Sequence, residues 1–209
     1  MTFVLADLDG TLIDSEASIV RAWTWWAARH RVDLAEILAI MHGRPSAEVI
    51  ARVAPHLDAA AESEIVDARE AADTDGVVAL PGAQELLERW PAERLAIVTS
   101  CTLPLVTARL GATGLPAPRV LVTAERLRRG KPEPEGYLLA AAELGADPAQ
   151  CVVLEDAPAG VAAGRAAGMV VVGVLGTRPP ESLPGADEHV PDVAAWLASV
   201  TASPREPSR

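Results

Sequence analysis

Aromatic residues are scarce in this chain of 209 residues: five tryptophans, one tyrosine and one phenylalanine, 3% of the total. Large rings cannot dominate its core. Half of the chain is nonetheless hydrophobic (50%), and alanine is abundant, which suits closely packed helices around a sizeable core. Cysteine is scarcer still. Cys101 and Cys151 are too few for a disulfide framework, and a chain of this length needs none. Both are expected to be reduced thiols in a cytoplasmic protein. Cys101 is not expected to act as a nucleophile, because no histidine lies near it in sequence. Positive charge is short: 18 Lys and Arg stand against 29 Asp and Glu, a formal net charge of −11. That argues against nucleic acid and anionic membranes as main partners, since both need a basic face. A small anionic substrate stays possible, because a few local cations and a metal can hold one. Apolar runs are short, and none reaches the length of a membrane span. The first residues lack the basic and apolar regions of a signal peptide, with Asp7 interrupting them. There is no internal repeat. Residues 202–209, ASPREPSR, are polar and proline-containing, and are expected to be disordered.

What the chain does have is a regular alternation. Short, β-branched apolar runs at 3–6, 95–98, 120–123, 152–154 and 170–174 read as strands buried on both faces of a parallel sheet. Helical patterns at 83–89, 103–110, 135–144 and 159–167 lie between them. This predicts an α/β fold, a Rossmann-like doubly wound parallel sheet. From 15 to 80 no strand is predicted. Helical patterns at 15–31, 34–41, 46–53 and 59–73 read as an inserted helical subdomain. The expected organisation is an α/β core of residues 1–14 and 81–201 with a helical cap of 15–80. An insert that leaves just after the first strand would sit over the carboxyl ends of the strands, where ligands bind in open α/β sheets.

Four stretches at strand ends carry chemistry. In FVLADLDGTLIDS, Asp7 and Asp9 are two apart, so on a strand they tend to project to one side. They are either turn formers before Gly10 or a metal and acid–base pair. In LAIVTS, Thr99 and Ser100 supply either ordinary loop polarity or a hydroxyl and amides for a phosphate. In RRGKPEPEGYLL, Pro132 and Pro134 fix Lys131 in a rigid loop ahead of a helix, unlike the flanking arginines, which read as a solvated basic run. In CVVLEDAPAG, Glu155 and Asp156 end a strand, and Asp156 either caps the next helix or binds metal. Together the four stretches give carboxylates, a hydroxyl and a lysine, in that order. That set fits Mg²⁺-assisted phosphoryl chemistry.

DLDGTLIDS, IVTS, GKPEPEGY and LEDAPAGVAAGRAAGM resemble the four ordered motifs of the haloacid dehalogenase-like hydrolase superfamily, over residues 3 to about 174. The block between the first two motifs is similar to that superfamily's small helical cap. The resemblance implies roles. Asp7 would be nucleophile and Mg²⁺ ligand. Asp9 would be general acid and base, giving the metal its backbone carbonyl. Thr99 and the Ser100 amide would bind the phosphoryl group, and Lys131 would bridge it to the nucleophile. Asp156 would complete the metal site, with Glu155 supporting. Asp9 favours phosphoryl transfer over dehalogenation, which needs no acid for the leaving group. The β-phosphoglucomutases are the runner-up, but a histidine of theirs falls on Ile19 here and a cap arginine on Ser46. Phosphoglycolate-type phosphatases and a catalytically inactive binding protein are further alternatives.

The stretch MHGRPSAEVI looks closer to phosphatases of small sugar and polyol phosphates, including glycerol phosphate. There His42, Gly43 and Arg44 would read the substrate; the other reading is a helix end at Met41 with favourably placed cations. Trp23, Trp26 and His30 share a helical face and are expected to pack between helices. The expected protein is a cytoplasmic Mg²⁺-dependent phosphatase of small phosphorylated metabolites, monomeric or a weak homodimer.

Overall fold

The computed structural model describes residues 2–202. The chain opens with β1 (Phe3–Ala6), followed by a two-residue strand β2 (Ile13–Asp14). Four helices come next: α1 (Glu16–His30), α2 (Leu34–Leu38), α3 (Ser46–Val53) and α4 (Ala59–Ala72). The chain returns through β3 (Val78–Ala79), α5 (Ala83–Arg89), β4 (Leu95–Val98), α6 (Leu103–Thr113) and β5 (Val120–Val122). It ends with α7 (Glu135–Leu144), β6 (Cys151–Glu155), α8 (Pro158–Ala166), β7 (Val170–Val174), β8 (Glu188–Val190) and α9 (Val193–Ala202).

Six strands form one parallel sheet in the order β5-β4-β1-β6-β7-β8. Both faces are covered, so the strands are apolar throughout rather than alternating. Along β1, Val4 and Ala6 join one core, with Leu86 of α5, Val106 of α6 and Trp196 of α9. Leu5 joins the other, with Tyr137 of α7 and Val161 of α8. The strand order reverses beside β1: β4 and β5 lie to one side, β6 to β8 to the other. That reversal opens a crevice at the carboxyl ends of β1 and β6.

Helices α1 to α4 build a third core of their own around Trp26, Ile37, Ile50 and Val66. Trp26 is fully buried, edge-packed on Trp23 and stacked near His30, as its helical face requires. Its indole N–H donates to Glu62 of α4 (2.9 Å), so burial costs no hydrogen bond. The two connections to this block are tied together. β2 pairs antiparallel with β3, and Arg21 of α1 donates twice to the Asp73 carboxylate just after α4 (2.7 and 2.8 Å).

The interval 15–80, read as free of strands, therefore contains β3. Two residues are too few to show a period, and Val78 is exposed. The expected helix 34–41 stops at Leu38, because the chain turns to bury Met41 and to bring Gly43 to the crevice. Elements β2, β8 and α9 were not predicted. The expectation for 202–209 lies outside the described residues, apart from Ala202 at the end of α9. Among the described residues, no helix is long and apolar enough to cross a membrane.

Candidate active site

Asp7 sits one residue past β1. Its N–H donates to Leu154 O (2.9 Å), continuing the pairing with β6 and fixing the carboxylate at the mouth of the crevice. Lys131, the only lysine of the sequence, reaches in from the loop before α7. Its ammonium donates to Asp7 Oδ1 (2.6 Å) and to Val98 O (3.1 Å), and lies 2.5 Å from Glu155 Oε1.

Glu155, the last residue of β6, is fully buried and fully used. Its Oε1 also accepts from the Tyr137 hydroxyl (2.7 Å), and its Oε2 from the N–H groups of Asp156 (3.1 Å) and Ala157 (3.2 Å). It orients Lys131 and has little left to offer a ligand. Asp156 follows, accepting from Arg178 Nη2 (2.9 Å). The cap residue of α8 is Ala157, so the Asp156 carboxylate is not spent on the helix end.

Two glycines make room for these carboxylates. A Cβ on Gly10 would stand 2.1 Å from Asp156 Oδ2, and one on Gly160 1.7 Å from Glu155 Oε1. Gly10 also has a φ of +82°, in the left-handed region that glycine enters freely.

Oxygens of Asp7, Glu155 and Asp156 lie within 4.8 Å of one another, all buried. Burial pushes the Asp7 carboxyl well up, against the pull of Lys131, and Glu155 and Asp156 add to the rise. Asp156 is pushed up to about 7 by burial and then by Glu155, with Arg178 opposing. Burial works against the Lys131 charge, but Asp7 and Glu155 prevail and hold its pKa above the ordinary lysine value. Clustered, buried, hard oxygen donors with this mutual repulsion fit a divalent cation. With Glu155 fully used, Asp7 and Asp156 are the candidate carboxylates to hold it; Asp7 is bonded through Oδ1 to Lys131, and Asp156 through Oδ2 to Arg178 and more loosely through Oδ1 to Thr11 (3.4 Å).

Thr99 and Ser100 follow β4. The Thr99 N–H donates to Val122 O (2.9 Å), and Thr99 Oγ1 accepts from the Cys101 N–H (3.1 Å). The Ser100 hydroxyl donates to Gly43 O (2.9 Å), joining the sheet loop to the helical block. A cavity of about 410 Å³ lies between them. Asp7, Asp9, Thr99, Ser100 and Asp156 line its floor, and Trp23, His42, Gly43 and Arg44 its roof. His42 Nδ1 is 3.8 Å from Glu16 and Arg44 Nη1 3.8 Å from Glu48, too far for hydrogen bonds.

Asp9 lines the same cavity, but its carboxylate is outside the acidic cluster. Its Oδ1 accepts from Ser15 Oγ (2.5 Å); its Oδ2 accepts from Arg109 Nη1 (2.6 Å) and Cys101 Sγ (2.9 Å). Any share Asp9 takes in a metal site would thus fall to its main chain. Cys101 is a free thiol whose pKa is pushed well up, first by burial, with the Arg109 guanidinium opposing.

The sequence reading did not single out Arg109, Glu70, Arg178, Tyr137 or Ser15. Arg109 had a signal. It falls on the apolar stripe of α6 with Leu105, Val106 and Leu110, where a charge requires a partner. The partner besides Asp9 is Glu70 of α4 (2.6 Å), whose carboxyl burial pushes up to about 7 against the pull of Arg109.

With this fold and this acidic crevice in place, the chain belongs to the haloacid dehalogenase-like hydrolases: that family's profile matches residues 1–168. It is 48% identical over 175 residues to hexitol phosphatase A of Escherichia coli (strain K12), covering 81% of each chain. It is 37% identical over 197 residues to validoxylamine A 7'-phosphate phosphatase of Streptomyces hygroscopicus subsp. limoneus, covering 90% of this chain and 92% of that one. Among solved structures it resembles a hydrolase from Pseudomonas syringae, with a TM-score of 0.83 and 26% identity over 97% of this chain and 99% of that one.

Proposed function

We propose that the chain is a Mg²⁺-dependent phosphatase of small phosphorylated sugars or polyols that works through an aspartyl-phosphate on Asp7. The observation that carries this reading is the Asp7–Lys131–Glu155–Asp156 cluster at the mouth of a cavity roofed by the helical block. The printed names of the two relatives, a hexitol phosphatase and a validoxylamine 7'-phosphate phosphatase, support the substrate class.

When bound at Asp7 and Asp156, with the Asp9 carbonyl as the further ligand, Mg²⁺ supplies positive charge against the phosphoryl oxygens. The chain's residues do the rest. Lys131, held charged by Asp7 and Glu155, neutralises a phosphoryl oxygen and keeps the Asp7 carboxylate in line. Thr99 and the Ser100 amide hold the other oxygens. An Asp7 oxygen attacks phosphorus, the ester P–O bond breaks, and Asp9 gives its proton to the departing alkoxide. Asp9, now a carboxylate, takes a proton from water as that water attacks phosphorus and the Asp7 Oδ–P bond breaks, freeing the Asp7 carboxylate. Inorganic phosphate leaves, and Asp7 and Asp9 return to their starting states. Helices α1 to α4 act as a cap that excludes bulk water, with His42, Gly43 and Arg44 facing the leaving group.

Hydrolysis is favoured over mutase chemistry at two cavity positions. Ile19 offers only a hydrocarbon, and the Ser46 hydroxyl is already donated to Asp67 (2.6 Å), so neither supplies a cation for a second phosphate. Phosphate release from a panel of hexitol, glycerol and sugar phosphates, with Mg²⁺ and with EDTA, tests the reading. Metal-dependent turnover of a polyol or sugar phosphate is expected. Activity confined to bisphosphates or isomerisation without release contradicts it.

A further inference from the structure

A guanidinium buried as deeply as Arg109, 2% exposed, needs hydrogen-bond acceptors on both of its edges. Two carboxylates from different parts of the chain do this. Nη1 donates to Asp9 Oδ2 and Nη2 to Glu70 Oε2, each at 2.6 Å. Asp9 belongs to the loop after β1, Glu70 to α4 in the helical block, and Arg109 itself to α6 on the sheet. Arg109 is the only cation among the three donors that set the direction of the Asp9 carboxylate; the Ser15 hydroxyl and the Cys101 thiol are the others. The guanidinium is a rigid planar fork, so the direction of one edge fixes the direction of the other.

We propose that Arg109 is a positioning residue for Asp9, and that Glu70 sets Arg109 from the side of the helical block, so that the chain Glu70–Arg109–Asp9 makes the placement of the acid–base carboxylate depend on where α4 sits. This rests on reading Asp9 as the acid that protonates the leaving group. A displaced Asp9 harms substrates whose leaving alkoxide needs a proton and spares those whose leaving phenolate is already stable. Packing defects, by contrast, harm both alike.

The experiment compares kcat on a hexitol phosphate and on p-nitrophenyl phosphate for the parent, Arg109→Lys, Glu70→Gln and Asp9→Asn. Lysine keeps the charge but cannot bridge two carboxylates as a planar fork. Glutamine keeps the shape of Glu70 and leaves the Arg109–Asp9 pair intact, so it carries the comparison even if Arg109→Lys does not fold. The expected result is a loss of about tenfold or more on the hexitol phosphate in both variants, with p-nitrophenyl phosphate within about threefold of the parent. Asp9→Asn should show the same bias more strongly. Equal losses on both substrates in Arg109→Lys and Glu70→Gln, beside a biased Asp9→Asn, overturn the proposal and leave Arg109 as packing. A bias in Arg109→Lys but none in Glu70→Gln removes the link to α4. An unbiased Asp9→Asn overturns the acid reading itself, and the proposal with it.

Discussion

The ammonium of Lys131 lies 2.6 Å from Oδ1 of Asp7, both groups buried, in a chain that has no other lysine. One cation thus faces a nucleophile candidate and the Glu155 carboxylate together. Lys131→Met should leave those carboxylates uncompensated and cost about 3–5 kcal/mol of stability, besides removing turnover. Chemical denaturation without Mg²⁺ measures this. A stability within about 1 kcal/mol of the parent would mean that the pair contributes little to holding the site.

Asp156→Ala should raise the Mg²⁺ concentration needed for half-maximal activity, because it removes the hard oxygen that we propose as a metal ligand beside Asp7. The alternative of a helix cap has no support in the geometry, since Asp156 makes no bond to the start of α8. A titration of rate against Mg²⁺ that matches the parent's would remove Asp156 from the metal site.

Gly160→Ala should destabilise the protein by about 1–3 kcal/mol or more, because the new methyl overlaps the Glu155 carboxylate and that side chain has no free partner to move toward. Activity should fall with it as Lys131 loses its support. Gly111→Ala is the control: nothing lies within 4 Å of its Cβ position in α6, so it should be neutral or stabilising by about 0.5–1 kcal/mol. Thermal or denaturant unfolding of the two variants side by side makes the comparison, and equal behaviour would contradict it.

Arg44→Ala and His42→Ala should lower kcat/KM on the best polyol phosphate, at a cost on the order of 1–3 kcal/mol for a lost charge-assisted hydrogen bond. Both side chains line the cavity and neither is tied by a hydrogen bond to its acidic neighbour. p-Nitrophenyl phosphate, with no hydroxyls to read, should be much less affected. No change on either substrate would mean that this loop does not touch the leaving group.

The sheet was legible because β1, β4, β6 and β7 are buried on both faces, and such strands appear as unbroken apolar runs between helical patterns. Elements β2 and β3 were not, because two residues show no period. β8 was not, because Glu188 and His189 are exposed and only Val190 is buried. In the site, Asp7, Lys131, Glu155 and Asp156 were legible from their places at strand ends and beside prolines. Arg178 was not, since a loop arginine 38% exposed in its side chain looks like any surface cation until it meets Asp156. The Arg109–Glu70 pair was hidden for another reason. Each residue is a charge on an otherwise helical pattern, and only the tertiary contact of α4 with α6 makes them one unit.

The most direct test is kcat on a hexitol phosphate, with saturating Mg²⁺, for the parent and for Asp7→Asn, each with circular dichroism matching the other's. An amide is a poor nucleophile and a weak metal ligand, so the account predicts no turnover above the buffer rate in Asp7→Asn. Turnover by Asp7→Asn at a rate comparable to the parent's would contradict it, because the phosphoryl group would then have no need of Asp7.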